Sequence, residues 1–310
     1  MPTYTNLFTE SLVPLPRERL AKLAQLSKAL ASLTSLMPRI LGSSASSLLA
    51  IAARRMGREL AREKHETLSQ ALAELSRASA WRVELLSYGG SEATLVVREC
   101  PVRQVCFFEG MSVGGALCAT CRGLLEGYIH SALGVATVVA TLGAGPNACV
   151  CRVRPRFGGE QLRVGEVRGV SEGWKQGLES YVDKVEGCLS RLIELTYQVL
   201  EKGVGRQAIV ALSFSARRFG AMRSLLYERC SDLECVARAL AREVELPVRA
   251  RGSSIEIEGC PIKRLGLDGV CRSLTAFIEG FASELLGKSV RVSSFRRGDP
   301  ACVIDLEVGS

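Results

Sequence analysis

Chemistry in this 310-residue chain would have to come first from its 12 cysteines. Two trios recur in one order, Cys100, Cys118, Cys149 and Cys260, Cys271, Cys302. Around the first trio, Cys121 follows Cys118 by one helical turn and Cys151 follows Cys149 by two residues, so each pair shares a face of its element. Thiolates grouped in this way ligate soft metals or cycle between dithiol and disulfide, whereas inert buried cysteines pack as small apolar side chains. A structural zinc takes four ligands in tetrahedral array. Cys100, Cys118, Cys121, Cys149 and Cys151 therefore form a candidate metal or redox cluster, with Cys106 as a further member. Cys260, Cys271 and Cys302 would need a water, a ligand or a carboxylate in the fourth place. Core packing or a structural disulfide is the other use open to all of these residues.

Other reactive groups are sparse. His65 and His130 are the only histidines, and neither has a counterpart in the other half of the chain, so both are expected at the surface or a helix edge. There is no GxxxxGK[ST] loop, no HExxH and no GxSxG elbow, which leaves nucleotide, metalloprotease and hydrolase chemistry without support. A Glu-Gly pair does recur, at Glu126-Gly127 and Glu279-Gly280. Its Glu falls at the edge of an apolar stripe and reads as a solvated carboxylate beside a glycine that lets two helices approach closely. Arg54-Arg55 and Arg217-Arg218, with Arg62, Lys64, Arg296 and Arg297, read as solvated basic faces. With 5% aromatics and no recognised motif, no direct nucleic-acid binding is expected, despite a net charge of +8.

The elements that position the cysteines come in two copies. Gly42 to Gly57 and Gly205 to Gly220 align without a gap and close on the same ARR-x-G; Cys118 to Cys149 and Cys271 to Cys302 align over their full length, sharing both terminal cysteines, the Glu-Gly pair and a Leu-Gly pair. Between them stand LVVRECPV and IEIEGCPI, alternating strand patterns that end in Cys-Pro. The unit predicted is a leading helix (Arg17 to Leu36; Glu172 to Glu201), a second helix (Ser44 to Arg62; Gln207 to Leu226), a third (Glu66 to Ala78; Asp232 to Glu243) and two strands. A loop follows Cys-Pro, longer by seven residues in the first copy, and leads to a helix carrying Cys118 or Cys271 and a closing hairpin. Helices and strands arrive in runs, which predicts an α+β fold with antiparallel sheets.

These blocks resemble the 4-vinyl reductase-like domains of predicted hydrocarbon-binding proteins. The likeness rests on the Gly-ending second helix, the strand ending in Cys-Pro, the helices LLEGYIHSALG and FIEGFASELLG, and the closing turns GPNAC and GDPAC. It covers most of residues 42–155 and 205–308. The resemblance implies units like TRAPP-complex subunits, with helices packed on a small antiparallel sheet and an apolar ligand pocket between them. In phenol-sensing members a zinc is held near the pocket by cysteines and a Glu. Cys118 and Cys149, and Cys271 and Cys302, match the outer cysteines of that pattern, but the inner positions carry Val138 and Thr141, or Arg291 and Ser294. Zinc would therefore enter only through a substitute cysteine set.

The expectation is two tandem units, 17–156 and 172–310, each with its own leading helix, after a flexible stretch 1–16 and joined by a linker 157–171, packed as an intrachain pseudo-dimer. Pocket walls would come from Leu49, Ile51, Met56, Leu117, Leu125 and Ile129, or from Phe214, Phe219, Leu274, Phe277 and Phe281. The chain is expected to bind or sense a small apolar molecule; a protein-interaction scaffold and, on analogy alone, a tetrapyrrole-related reductase are the alternatives. MPTYTNLFTE has no basic or apolar signal-peptide pattern, so a cytoplasmic location is expected. Gly127 to Cys151 carries no Asp, Glu, Lys or Arg, yet its glycines and Pro146 make a helix end, strand and turn the expectation, not a membrane span.

Overall fold

The computed structural model describes residues 17–35, 37–89, 91–158, 161–165, 178–205 and 207–309. The proposed flexible stretch 1–16, most of the linker 157–171 and the start of the second leading helix lie outside them. In chain order the elements are α1 (Arg17–Thr34), α2 (Met37–Leu41), α3 (Ser44–Leu60), α4 (Leu68–Ala78), β1 (Arg82–Gly89), β2 (Glu92–Glu99), α5 (Pro101–Phe108), α6 (Ala119–Leu133), β3 (Thr137–Ala144) and β4 (Cys149–Pro155). The second half follows with α7 (Leu178–Val204), α8 (Gln207–Ser224), α9 (Leu233–Val244), β5 (Val248–Arg251), β6 (Ser254–Glu258), α10 (Asp268–Leu286), β7 (Val290–Arg296) and β8 (Ala301–Val308). Both halves build an antiparallel four-stranded sheet in the same order, β1-β2-β4-β3 and β5-β6-β8-β7. The α+β expectation therefore holds.

Local signals explain where the elements begin and end. Thr67 closes a capping box with Gln70 ahead of α4, and Asp232 accepts the Cys235 N–H at 2.8 Å ahead of α9. The repeated Leu-Gly pair ends α6 and α10, with Gly134 and Gly287 in the left-handed region at φ 75° and 61°. One expectation fails: the segment after Cys100-Pro101 is not a loop but α5, with Pro101 in its first turn and the Cys100 thiol accepting the Arg103 N–H. Proline is favourable there because the first helical N–H has no partner to lose.

The chain forms two compact units whose composition differs from a cut between the repeats. Unit 1 includes residues 41–199 and unit 2 combines 15–40 with 200–310. Each leading helix thus packs in the unit of the other repeat. In unit 2, Gln25 Nε2 donates to Val244 O at 3.1 Å, Ser215 Oγ donates to Ser32 O at 2.8 Å, and Lys28 lies 3.4 Å from Glu243. In unit 1, Arg191 of α7 grips Glu59 with two N–H groups at 2.8 and 2.6 Å, and Lys184 donates to Arg77 O. Apolar pattern alone makes both helices amphipathic or buried, and it carries no information about which copy they pack on.

The paired helices α3 with α6, and α8 with α10, touch backbone to backbone. A Cβ on Gly127 would stand 2.0 Å from Arg54 O, and one on Gly280 would stand 1.9 Å from Arg217 O; Gly57 and Gly220 make the reciprocal approaches at 2.1 and 2.0 Å. The repeated ARR-x-G and Glu-Gly blocks are therefore two sides of one contact. The Glu is more than a solvated flank: Glu126 pairs with Arg54 and accepts the Val139 N–H. Glu279 likewise accepts the Val292 N–H and stands 3.9 Å from Arg217.

Candidate functional site

In unit 1, β2 and β4 pair Leu95 with Cys151 and Val97 with Cys149, which puts both thiols on the buried face of the sheet with Ala93, Leu95 and Val153. Cys100 sits at the end of β2 as the N-cap of α5, and Cys118 occupies the N-cap of α6. The structure thus gathers Cys100, Cys106, Cys118, Cys121, Cys149 and Cys151 where the end of β2 and the start of β4, the central strands, meet α5 and the start of α6. Cys106 Sγ lies 4.0 Å from Cys118 Sγ, and the Gly114 N–H donates to Cys118 Sγ at 3.2 Å. A hydrogen bond from Cys121 holds the Cys100 thiol below its ordinary range against the cost of burial, and Arg103 adds to this. Hydrogen bonding from Cys106 brings Cys118 down to about 7, assisted by the Gly114 N–H, Arg103 and Arg122. The Cys106, Cys121, Cys149 and Cys151 thiols are pushed up, Cys151 to about 11; burial leads for the last two, and donation to Cys118 or Cys100 leads for the first two.

Arg103 is the residue the sequence reading missed. Its side chain is 1% exposed, and its guanidinium donates to Val97 O at 2.9 Å, Asn147 O at 3.0 Å, Arg98 O and, at 3.6 Å, Cys149 Sγ. Its Nε has no partner. These partners are carbonyls and a thiol, so the buried cation favours negative charge on the sulfurs around it. Lys263 is its counterpart three residues after Cys260 and reaches the second closing turn, donating to Gly298 O at 2.7 Å. The only sequence signal was this shared spacing of a basic residue after Cys-Pro.

The cluster does not fit a zinc. Among the described residues no group of three or more His, Cys, Asp or Glu is placed to hold a metal ion. A guanidinium directed at Cys149 is also a poor neighbour for a divalent cation. The second trio differs again: Cys260, Cys271 and Cys302 are buried, burial pushes the Cys260 thiol up to about 11 and the Cys271 thiol in the same direction, and Cys271 lies inside α10 instead of capping it. A disulfide joins Cys230 to Cys235, a pair the sequence reading did not single out.

Unit 2 contains a cavity of about 30 Å³. Leu274 and Phe277 of α10 line it, together with Ile257 and Cys260. One part of its wall is unexpected, because Gln25, Lys28, Ala29 and Ser32 come from α1. Behind Phe277 stand Phe281, stacked at 5.9 Å, and Phe219 at 6.0 Å, so these two support the wall without forming it. Leu49, Met56, Leu117, Leu125 and Ile129 are buried in the core of unit 1. Ile51 and Phe214, predicted as pocket walls, are instead 48% and 60% exposed. They sit on the outer faces of α3 and α8, because the inner faces are taken up by the glycine contacts.

One polar atom in the cavity wall is orphaned. Gln25 is 5% exposed; its amide nitrogen is committed to Val244 O, and its Oε1 has no partner. A buried acceptor left unmatched costs about 1 to 3 kcal/mol. No protein-family model, curated protein or solved structure matches the chain. No helix among the described residues is long and apolar enough to cross a membrane. The uncharged stretch Gly127 to Cys151 forms the end of α6, β3, a turn and the start of β4, as expected.

Proposed function

We propose that this chain is a small-molecule-binding protein built from two 4-vinyl reductase-like units, and that unit 2 receives a compact apolar molecule carrying one hydroxyl or N–H donor. The observation that carries this reading is the unmatched Oε1 of Gln25, a residue lining a largely apolar cavity beneath α10. Binding pockets combine apolar walls with a few orienting polar groups, and a ligand donor would satisfy an acceptor the fold leaves unpaired. The cavity at rest has room for no more than about two waters. A larger ligand therefore enters by displacing Leu274, which is only partly buried.

Thermal-shift titration with cyclohexanol and with methylcyclohexane, which has the same bulk but no donor, tests the reading. Saturable stabilisation by cyclohexanol, weaker for methylcyclohexane and lost in Leu274→Trp, is expected. No shift with either compound would remove the support. The scaffold alternative is favoured by a different observation: Val210, Phe214 and Met222 are 72%, 60% and 50% exposed on α8. They fall within about a third of the helix circumference. Pull-down of a single stoichiometric protein by the wild type, lost in Phe214→Lys while cyclohexanol stabilisation persists, would favour it.

A further inference from the structure

We infer that Cys118 is a site of reversible oxidation by hydroperoxides, with Cys106 as the thiol that resolves it to a disulfide. This does not rest on the unit 2 cavity. Three observations converge on this pair. The sulfurs lie 4.0 Å apart, and Cys106 is fully buried while Cys118 is only half-buried, so an oxidant reaches one of the two. Cys118 stands at the N-terminal end of α6 and its thiol receives the Gly114 N–H at 3.2 Å, both of which favour a thiolate. Finally, the buried Arg103 guanidinium with its unpartnered Nε supplies positive charge to the cluster without a carboxylate among its hydrogen-bond partners. A depressed Cys118 thiol and a raised Cys106 thiol fit an attacking and a resolving role.

The chemistry balances as follows. The Cys118 thiolate attacks the terminal oxygen of ROOH; an S–O bond forms, the O–O bond breaks, and RO⁻ leaves to take up a proton as ROH. Cys118 is then a sulfenic acid. Cys106 sulfur attacks that sulfur, the S–OH bond breaks, and hydroxide departs with the Cys106 proton as water. Two thiols are oxidised to a disulfide and the peroxide is reduced by two electrons.

The second repeat argues for specificity. Cys271 stands at the position of Cys118, but the interval from Cys260 to Cys271 is seven residues shorter and carries no cysteine, and Cys271 lies inside a helix with its thiol pushed up by burial. Only the first copy has the second thiol.

The test uses the full chain treated with hydrogen peroxide, then alkylated, digested without reductant and mapped by mass spectrometry. A Cys106–Cys118 cross-linked peptide, with the chain lighter by two hydrogens than the untreated sample, is the expected result. Cys106→Ser should trap a dimedone-reactive sulfenic acid on Cys118, and Cys118→Ser should leave the mass unchanged. Should either variant misfold, the wild type still decides. Iodoacetamide should label Cys118 at least tenfold faster than Cys188 at pH 7, with a rate midpoint near pH 7. The groups facing Cys118 are Cys106, the Gly114 N–H, Arg103 and Arg122, with the Cys100 and Cys149 thiols behind them. Cross-linking of Cys118 to Cys121 or Cys149, a labelling midpoint near 9, or a stoichiometric zinc that shields Cys118 until chelated would each overturn the proposal.

Discussion

Glu126 holds Val139: its Oε1 accepts the Val139 backbone N–H at 3.1 Å while Oε2 takes the Arg54 guanidinium. Glu279 repeats the bond to Val292 at 2.7 Å. One carboxylate therefore ties helix to helix and helix to hairpin in each unit. Glu126→Ala should lower unfolding free energy by about 1 to 3 kcal/mol, because it strands a strand N–H and a guanidinium together. Glu126→Gln, which can still accept, should cost less. Urea unfolding of the two variants measures the difference, and equal losses would show that the N–H bond contributes nothing.

Glycine substitutions should separate contact from conformation. Gly127→Ala and Gly280→Ala would place a methyl against a carbonyl oxygen at 2.0 and 1.9 Å, forcing the helix pair apart. A loss of about 1 to 3 kcal/mol or more is expected for each. Gly187→Ala should have the opposite sign, since Gly187 lies exposed in α7 with open space around it. A gain of about 0.5 to 1 kcal/mol follows from helix propensity. Parallel thermal melts of the three variants check both signs.

Tyr128 is fully buried and its hydroxyl has no partner; burial pushes its pKa up to about 12. Only the unfolded chain ionises this phenol at its ordinary value near 10. Its contribution to stability is therefore complete below pH 10 and is lost as pH rises toward 12. Tyr128→Phe should be neutral or slightly stabilising at pH 7, and should flatten the stability profile between pH 10 and 12 by on the order of 2 kcal/mol. Denaturant midpoints across that range for both proteins provide the measurement; unchanged slopes would contradict the assignment.

Arg103→Met would strand the carbonyls of Val97, Arg98 and Asn147 and remove the cation beside the thiols. A loss of about 3 kcal/mol or more is expected, with the Cys118 alkylation midpoint moving up from about 7. Lys263→Met, in the half-buried counterpart, should cost closer to 1 kcal/mol. If Arg103→Met leaves the Cys118 midpoint in place, the hydrogen bonds from Cys106 and Gly114 account for it alone.

Much of this fold was legible because it is written in local pattern. The Asp232 start of α9, the Leu-Gly ends of α6 and α10 and the alternating strands each follow from neighbours in sequence. α5 was missed because cysteine is not an expected N-cap and the run after Pro101 is short. The duplicated Glu was read as an edge carboxylate, since nothing near Glu126 in sequence reveals that Val139 will present an N–H to it. Arg103 was invisible for a related reason: a basic residue is expected at the surface, and its burial depends on three carbonyls supplied by β2 and the closing turn. Gln25 is not legible as a wall residue, because it arrives from a helix more than 200 residues away.

The crossed membership of α1 and α7 makes the gene's two halves inseparable as folding parts. Severing the chain anywhere in 166–177 would leave an amino-terminal piece holding a helix that packs in the other unit, and a carboxy-terminal piece in the mirror situation. Neither fragment would be self-sufficient, and co-expression should restore what each lacks. Loss of the first 35 residues would accordingly damage the carboxy-terminal cavity, at the far end of the chain from the deletion.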